Sequence, residues 1–215
     1  MGSLAKSSGL LLPRFGRGTQ EDRLRTLEDA VYHLVRDDAQ PTRWNDLITG
    51  IGVVSFGGAS DPTPVAYQSG YALNFQNARS DVVYFNVQLS HMVDTTLPLE
   101  FHVHCGVSDN NTGNVRWELT YNWAGISAAW GSATTPTAVD VPVAANSSGY
   151  HLVHEVVASI SPPAGNTVSA MLLCNLKRLG SADSYNGDVY VVSFDFHEPR
   201  NTNRGSQLER AKWDR

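Results

Sequence analysis

The feature that most limits this chain is a period of two that recurs from about residue 71 to residue 197. Val83, Phe85, Val87 and Leu89 alternate with Tyr84, Asn86, Gln88 and Ser90. Such alternation places every apolar side chain on one face, so it marks a half-buried strand and excludes an amphipathic helix. Phe101, Val103 and Cys105 repeat the pattern, as do Val115, Trp117, Leu119, Tyr121 and Trp123. The Asp109–Gly113 stretch between these last two segments is rich in turn formers and suggests a hairpin. Further strands are expected at 150–158, at 168–176 and at 188–196, where Tyr190, Val192, Phe194 and Phe196 are expected to share a face.

Strands and turns at this density, with no helical run between them, predict a mainly β domain over 71–197. The expected architecture is an antiparallel β-sandwich or jelly roll. The flanks differ in character. Residues 1–19 are rich in Ser and Gly with three basic residues, Lys6, Arg14 and Arg17, and suit an arm that orders on a partner. Their apolar run at Leu10–Leu12 is too short for a secretory signal. Over 20–38, Thr19 is a fitting N-cap, and Leu24, Leu27, Val31 and Leu34 fall at spacings of three, four and three. That stripe predicts an amphipathic helix. It either lies on its own domain or joins a short parallel bundle around an oligomer axis. Residues 39–70 read as an irregular linker, and 198–215 as a charged tail with a short helix starting near Gly205.

Charge sets further limits. Of the 37 charged residues only 15 lie in 47–197, while both ends are densely charged. A net charge of −5 excludes a simple basic nucleic-acid binder, and no apolar run approaches the roughly 18–20 residues of a membrane span. Two cysteines, Cys105 and Cys174, lie on apolar strand faces and are expected to be buried free thiols. A body so poor in charge is unusual for a solitary soluble domain, because surface charge favours solubility. It suits a subunit whose sheet faces are covered by neighbours.

Candidate chemistry is sparse. His102-Val103-His104 projects two imidazoles from one strand face, with Glu100 in line. The bland reading is a polar face hydrogen-bonded to Arg116 and Glu118 across the expected hairpin. A second is a transition-metal site in which three chains each contribute His102 and His104 around an axis. A third is a cupin-type metal enzyme, with Asp109 near the first required spacing but no supporting glycines. His151 and His154 should face opposite sides of a strand, whereas Asp195 and His197 share one. No Gly-x-Ser-x-Gly elbow, phosphate loop or Cys-x-x-Cys pair is present. Catalytic residues, and any cofactor beyond that candidate metal, are therefore not expected. Trp117 and Trp123 read as core. Trp130, in a loop, is the better exposed candidate for stacking on a sugar ring.

Five segments recur in an order that carries a resemblance. They are Phe101-His102-Val103-His104, then Trp117-Glu118-Leu119-Thr120-Tyr121-Asn122-Trp123, then Gly187-Asp188-Val189-Tyr190. Phe194-Asp195-Phe196-His197 and Gly205-Ser206-Gln207-Leu208-Glu209 follow. Over about 81–215 the chain resembles a family of tailed-bacteriophage and prophage virion proteins. It departs from that pattern at Cys105-Gly106, where an aromatic is usual, and at Gln207-Leu208, which replaces an Arg-Gln pair. The resemblance implies a non-enzymatic virion structural protein, a jelly roll assembled as a homotrimer. It would serve as a head decoration or fibre, or as a neck or tail-fibre component. Its arm would hold other virion proteins of the capsid, portal or tail; neither nucleic acid nor membrane is an expected partner. A carbohydrate-binding receptor module, using Trp130 and the 109–114 turn on a host glycan, is the alternative.

Overall fold

The computed structural model describes residues 4–7, 10–13, 43–163 and 169–200. The expected helix over 20–38, with Leu24, Leu27, Val31 and Leu34, lies outside the described residues, as does the tail beyond Arg200. The chain divides into two compact units, residues 1–43 and 44–215. In the first, the stretch read as an arm holds two four-residue strands, β1 (Leu4–Ser7) and β2 (Leu10–Pro13), paired antiparallel from Leu4↔Pro13 to Ser7↔Leu10.

Among the described residues of the second unit the regular elements are strands, with one 3-10 turn. They are β3 (Arg43–Gly50), β4 (Thr63–Tyr67), β5 (Gly70–Phe75), β6 (Val82–Gln88), β7 (Leu99–Val107) and β8 (Gly113–Ala124). After them come β9 (Val139–Val143), β10 (Leu152–Ile160), β11 (Met171–Arg178) and β12 (Val189–Arg200). One sheet runs β10-β7-β12-β5-β4, with β3 also paired to β12; the other runs β6-β11-β8-β9. All registered pairs in both sheets are antiparallel. From β5 to β12 the chain alternates between the sheets except at the β8–β9 hairpin, which gives the strand order of an eight-stranded jelly roll.

The alternating residues meet between the sheets. Val83, Phe85 and Val87 of β6, Val115, Trp117 and Leu119 of β8, and Leu172, Cys174 and Leu176 of β11 are all buried. They face Phe101, Val103 and Cys105 of β7 and Phe194 and Phe196 of β12. Phe85 stacks on Phe194 at 4.9 Å and 7°, and Phe75 meets Trp117 edge-on at 5.4 Å. Aromatic pairs like these contribute about 0.5–1.5 kcal/mol each beyond the area they bury. Both cysteines are buried free thiols, and desolvation pushes each up to about 12, which disfavours the thiolate.

Three expectations are corrected. The turn after β7 does not close a hairpin: β7 pairs with β10 and β12, while β8 lies in the other sheet. Period two is the same whether a turn stays within a sheet or crosses the roughly 10 Å gap between two sheets, so alternation cannot tell the cases apart. In β12, Tyr190 does not share a face with Phe194, because a register shift between Val191 and Ser193 puts Val189 and Val191 inside instead. The 39–70 stretch is not irregular throughout, since it holds β3, a 3-10 turn (Ile51–Val53) and β4. In β3 the polar Asn45 and Thr49 are more covered than Trp44 and Ile48, which hides the strand from a hydropathy reading. In β4, Pro64 is tolerated because β4 is the edge strand, paired only to β5.

Candidate functional site

The outer face of the larger sheet gathers the chain's polar chemistry. The even residues of β7, Glu100, His102 and His104, point away from the core formed by Phe101, Val103 and Cys105. β12 lies alongside in a register that pairs Asp195 with His102 and His197 with Glu100. Two short motifs 95 residues apart, His102-Val103-His104 and Asp195-Phe196-His197, thus form one cluster.

Asp195 is the centre of the cluster and is almost fully buried, at 2% exposure. The His104 imidazole lies with Nε2 2.7 Å from Asp195 Oδ1 and Nδ1 2.9 Å from Nε2 of His151. The other carboxylate oxygen, Oδ2, lies 3.0 Å from His197 Nε2 and 3.9 Å from His102 Nδ1. His102 Nδ1 and His197 Nε2 approach to 3.2 Å with their rings edge to face. From β3, Asp46 Oδ1 comes within 3.3 Å of the same His197 nitrogen. Glu100 sits behind both rings, with Oε2 3.6 Å from His197 Nδ1 and 3.8 Å from His102 Nε2.

Burial is the main cause that holds the His102 imidazole below the ordinary histidine range, and the neighbouring His197 ring adds to it. Asp195, Glu100 and Glu155 oppose that shift without cancelling it.

The remaining candidates separate. The structure puts His102 and His104 against residues of their own chain, not against Arg116 and Glu118, which lie in the other sheet. His151, at the start of β10, joins the cluster through His104, whereas His154 points inward. There its Nδ1 accepts a 3.0 Å hydrogen bond from Trp117 Nε1, and burial followed by the Arg178 charge lowers its pKa to about 4. Trp130 is 50% exposed, in the loop between β8 and β9. Gly131 folds back to donate to the Trp123 carbonyl near the end of β8, while the 109–114 turn runs into its first residues. Since β8 spans 12 residues at about 3.3 Å each, the two parts of the expected glycan site lie at opposite ends of a strand.

Other motif residues are structural. Asp188 accepts from the Asn77 backbone at 2.8 Å and from Asn74 Nδ2 at 3.0 Å, tying β12 to the end of β5. Gly106 is bare because the Tyr67 hydroxyl occupies the place of its side chain, and Tyr67 stacks on Tyr190 at 4.7 Å. Beside His151 a shallow cleft of about 240 Å³ is lined by Tyr67, Tyr150 and Val192. Sequence reasoning missed Asp46 because nothing in residues 39–70 marks it as a partner of β12.

The strand order and the polar outer face define a double-sheet jelly-roll protein with a histidine–carboxylate cluster. No protein-family model matches the chain, and no curated protein matches it in sequence. Among solved structures it is similar to one of infectious bursal disease virus Gx strain, at 10% identity and a TM-score of 0.38. That likeness covers 76% of this chain and 35% of the other, so this chain spans about a third of the viral chain's length. It is also similar to TmCBM61 in complex with beta-1,4-galactotriose, at 11% identity and a TM-score of 0.28, over 76% of this chain and 93% of that one.

Proposed function

We propose that this chain is a non-enzymatic structural protein of a tailed-phage virion, a jelly-roll subunit that assembles as a homotrimer. Its N-terminal segment anchors it to capsid, portal or tail. The observation that carries this reading is an apolar patch on a body poor in charge. Ile48 and Val53 are 70% and 69% exposed and border a groove with Asn86 and Gln88 of β6. Leu173 of β11 pairs with Asn86, and Tyr84 lies two residues along β6 on the same face, so Tyr84 and Leu173, both exposed, lie near the same groove. Exposed apolar side chains gathered around a groove suit an interaction surface, and copies of the chain itself are the partners that the trimer reading supplies. The ordered motifs of the phage resemblance support the virion assignment, with four of the five falling on β7, β8 and β12 or on the turn leading into β12.

Sedimentation of the full-length chain, together with imaging of assembled particles, tests the reading. A trimer is expected, with Ile48→Asp and Val53→Asp shifting it toward monomer. A monomer both free and in particles overturns it.

The exposure of Trp130 favours a second reading, a carbohydrate-binding module for a host glycan. Glycan-array binding that Trp130→Ala abolishes supports it, and a flat array counts against it.

A further inference from the structure

We propose that the histidine–carboxylate cluster binds one divalent transition-metal ion per chain, held by His197 Nε2, Asp195 Oδ2 and Asp46 Oδ1, whose residues bring ligand atoms within 4.8 Å of one another, with His102 Nδ1 moving in as the fourth donor. The inference starts from a mismatch in hydrogen counting. Three groups converge on His197 Nε2: Asp195 Oδ2 at 3.0 Å, His102 Nδ1 at 3.2 Å and Asp46 Oδ1 at 3.3 Å. Only the contact with His102 has hydrogen-bond geometry, and one imidazole nitrogen, with a single hydrogen or a single lone pair, cannot direct itself at all three. A dication placed among the four donor atoms serves all of them.

The spacing suits such an ion. Metal bonds of about 2.0–2.1 Å in a tetrahedron put neighbouring donors about 3.3 Å apart. The three separations from His197 Nε2 match that edge, His102 Nδ1 to Asp195 Oδ2 at 3.9 Å closes with a movement of about 0.6 Å, and Asp46 and Asp195 bring ligand atoms within 4.8 Å of each other. Two imidazoles and two carboxylates are a donor set for zinc and similar ions, not for calcium, which takes six to eight oxygens. Two carboxylates also balance the ion's double charge, including that of the buried Asp195.

The surroundings orient the ligands as metal sites require. Glu100 lies behind both rings, near His197 Nδ1 at 3.6 Å and His102 Nε2 at 3.8 Å. A carboxylate on that side favours ring hydrogens at His197 Nδ1 and His102 Nε2 through its charge, although neither distance is a hydrogen bond. His104 holds the other oxygen of Asp195 at 2.7 Å, with His151 behind it, and so fixes the carboxylate plane. Asp195 and His102 close the inner side, while Asp46, 58% exposed, leaves a path from solvent. The ligands come from β3, β7 and β12, so the ion clips β3 to the sheet.

The test uses the full-length chain after chelator treatment and dialysis, with Zn²⁺ as the titrant in calorimetry and Co²⁺ as a spectroscopic probe. One Zn²⁺ per chain is expected, with a thermal midpoint that rises with zinc concentration and the intense visible bands of tetrahedral Co²⁺. Asp46→Asn and His197→Ala should each weaken zinc at least about tenfold, and His104→Ala by about 10–100-fold. Because Asp46 is mostly exposed, Asp46→Asn keeps the far-ultraviolet circular dichroism of the parent and separates lost binding from lost fold. No zinc binding, binding unchanged in Asp46→Asn and His197→Ala, or one ion per three chains would each overturn the proposal.

Discussion

Arg178 and His197 are both nitrogen-rich side chains held by carboxylates, yet their surroundings differ in how many partners each nitrogen meets. The Arg178 guanidinium is fully buried. Its Nε donates to Asp183 Oδ2 at 2.9 Å, Nη1 to the Phe75 carbonyl at 2.8 Å and Nη2 to the Tyr185 carbonyl at 3.0 Å. Each nitrogen has one acceptor, and the set ties the end of β11 to β5 in the opposite sheet and to the segment before β12. At His197 one nitrogen meets three partners at the surface of a sheet. Where every donor nitrogen has its own acceptor the cluster is a fastening, even with Asp183 Oδ1 left unpartnered, while three groups crowding one nitrogen suit a cation among them. Burial alone does not separate them, since Asp195 is nearly as covered as Asp183.

The largest effect should come from breaking the fastening. Arg178→Met leaves Asp183 buried without its countercharge, and a loss of about 3–5 kcal/mol is expected in urea unfolding. A loss below about 1 kcal/mol would show that the two clusters are not different in kind.

Next comes His154, buried between the sheets with its Nε2 lacking a partner. Its pKa, lowered to about 4 in the folded state, means that the folded protein resists a proton the unfolded chain accepts near pH 6.5. The His154 contribution is therefore whole above pH 6.5 and is lost as the pH falls toward 4, reaching about 3 kcal/mol. The difference in unfolding free energy between the parent and His154→Gln, followed across that range, should show this slope. A difference that does not change with pH contradicts it.

A smaller effect is expected for Asp195→Asn in metal-free protein, about 1–3 kcal/mol. There His197 keeps Asp46 and Glu100 as partners, so no charge is stranded as it is in Arg178→Met. A cost equal to that of Arg178→Met would make Asp195 a fastening as well. The smallest effect belongs to Trp130→Ala, within about 0.5 kcal/mol, because the side chain is half exposed on a loop. Any change in glycan binding by that variant then reports on recognition and not on folding.

Period two made the strands of the body legible, because the faces of β6, β7 and β8 follow hydropathy without exception at Val83, Phe85, Val103, Val115 and Trp117. β3 and β4 were not legible. Trp44 and Ile48 face outward on β3, and Pro64 interrupts β4, so each strand contradicts the pattern that identifies the others. Of the cluster, His102 with His104 and Asp195 with His197 could each be seen as a same-face pair. Their meeting could not, because it depends on the antiparallel register of β7 with β12. Asp46 carried no signal at all.

By itself the amino-acid sequence determined that this is a β protein, which residues of each long strand look inward, and that its body is short of charge. Those properties follow from the alternation of side chains along an extended backbone, a local geometry that needs no knowledge of the neighbouring strand. The tertiary structure decided which sheet each strand joined, where β12 shifted register, and that two distant His-containing motifs and Asp46 surround one point. Pairing is a contest among strands that look alike in sequence, settled by the packing of Phe85, Phe101, Phe194 and Phe196 between the sheets.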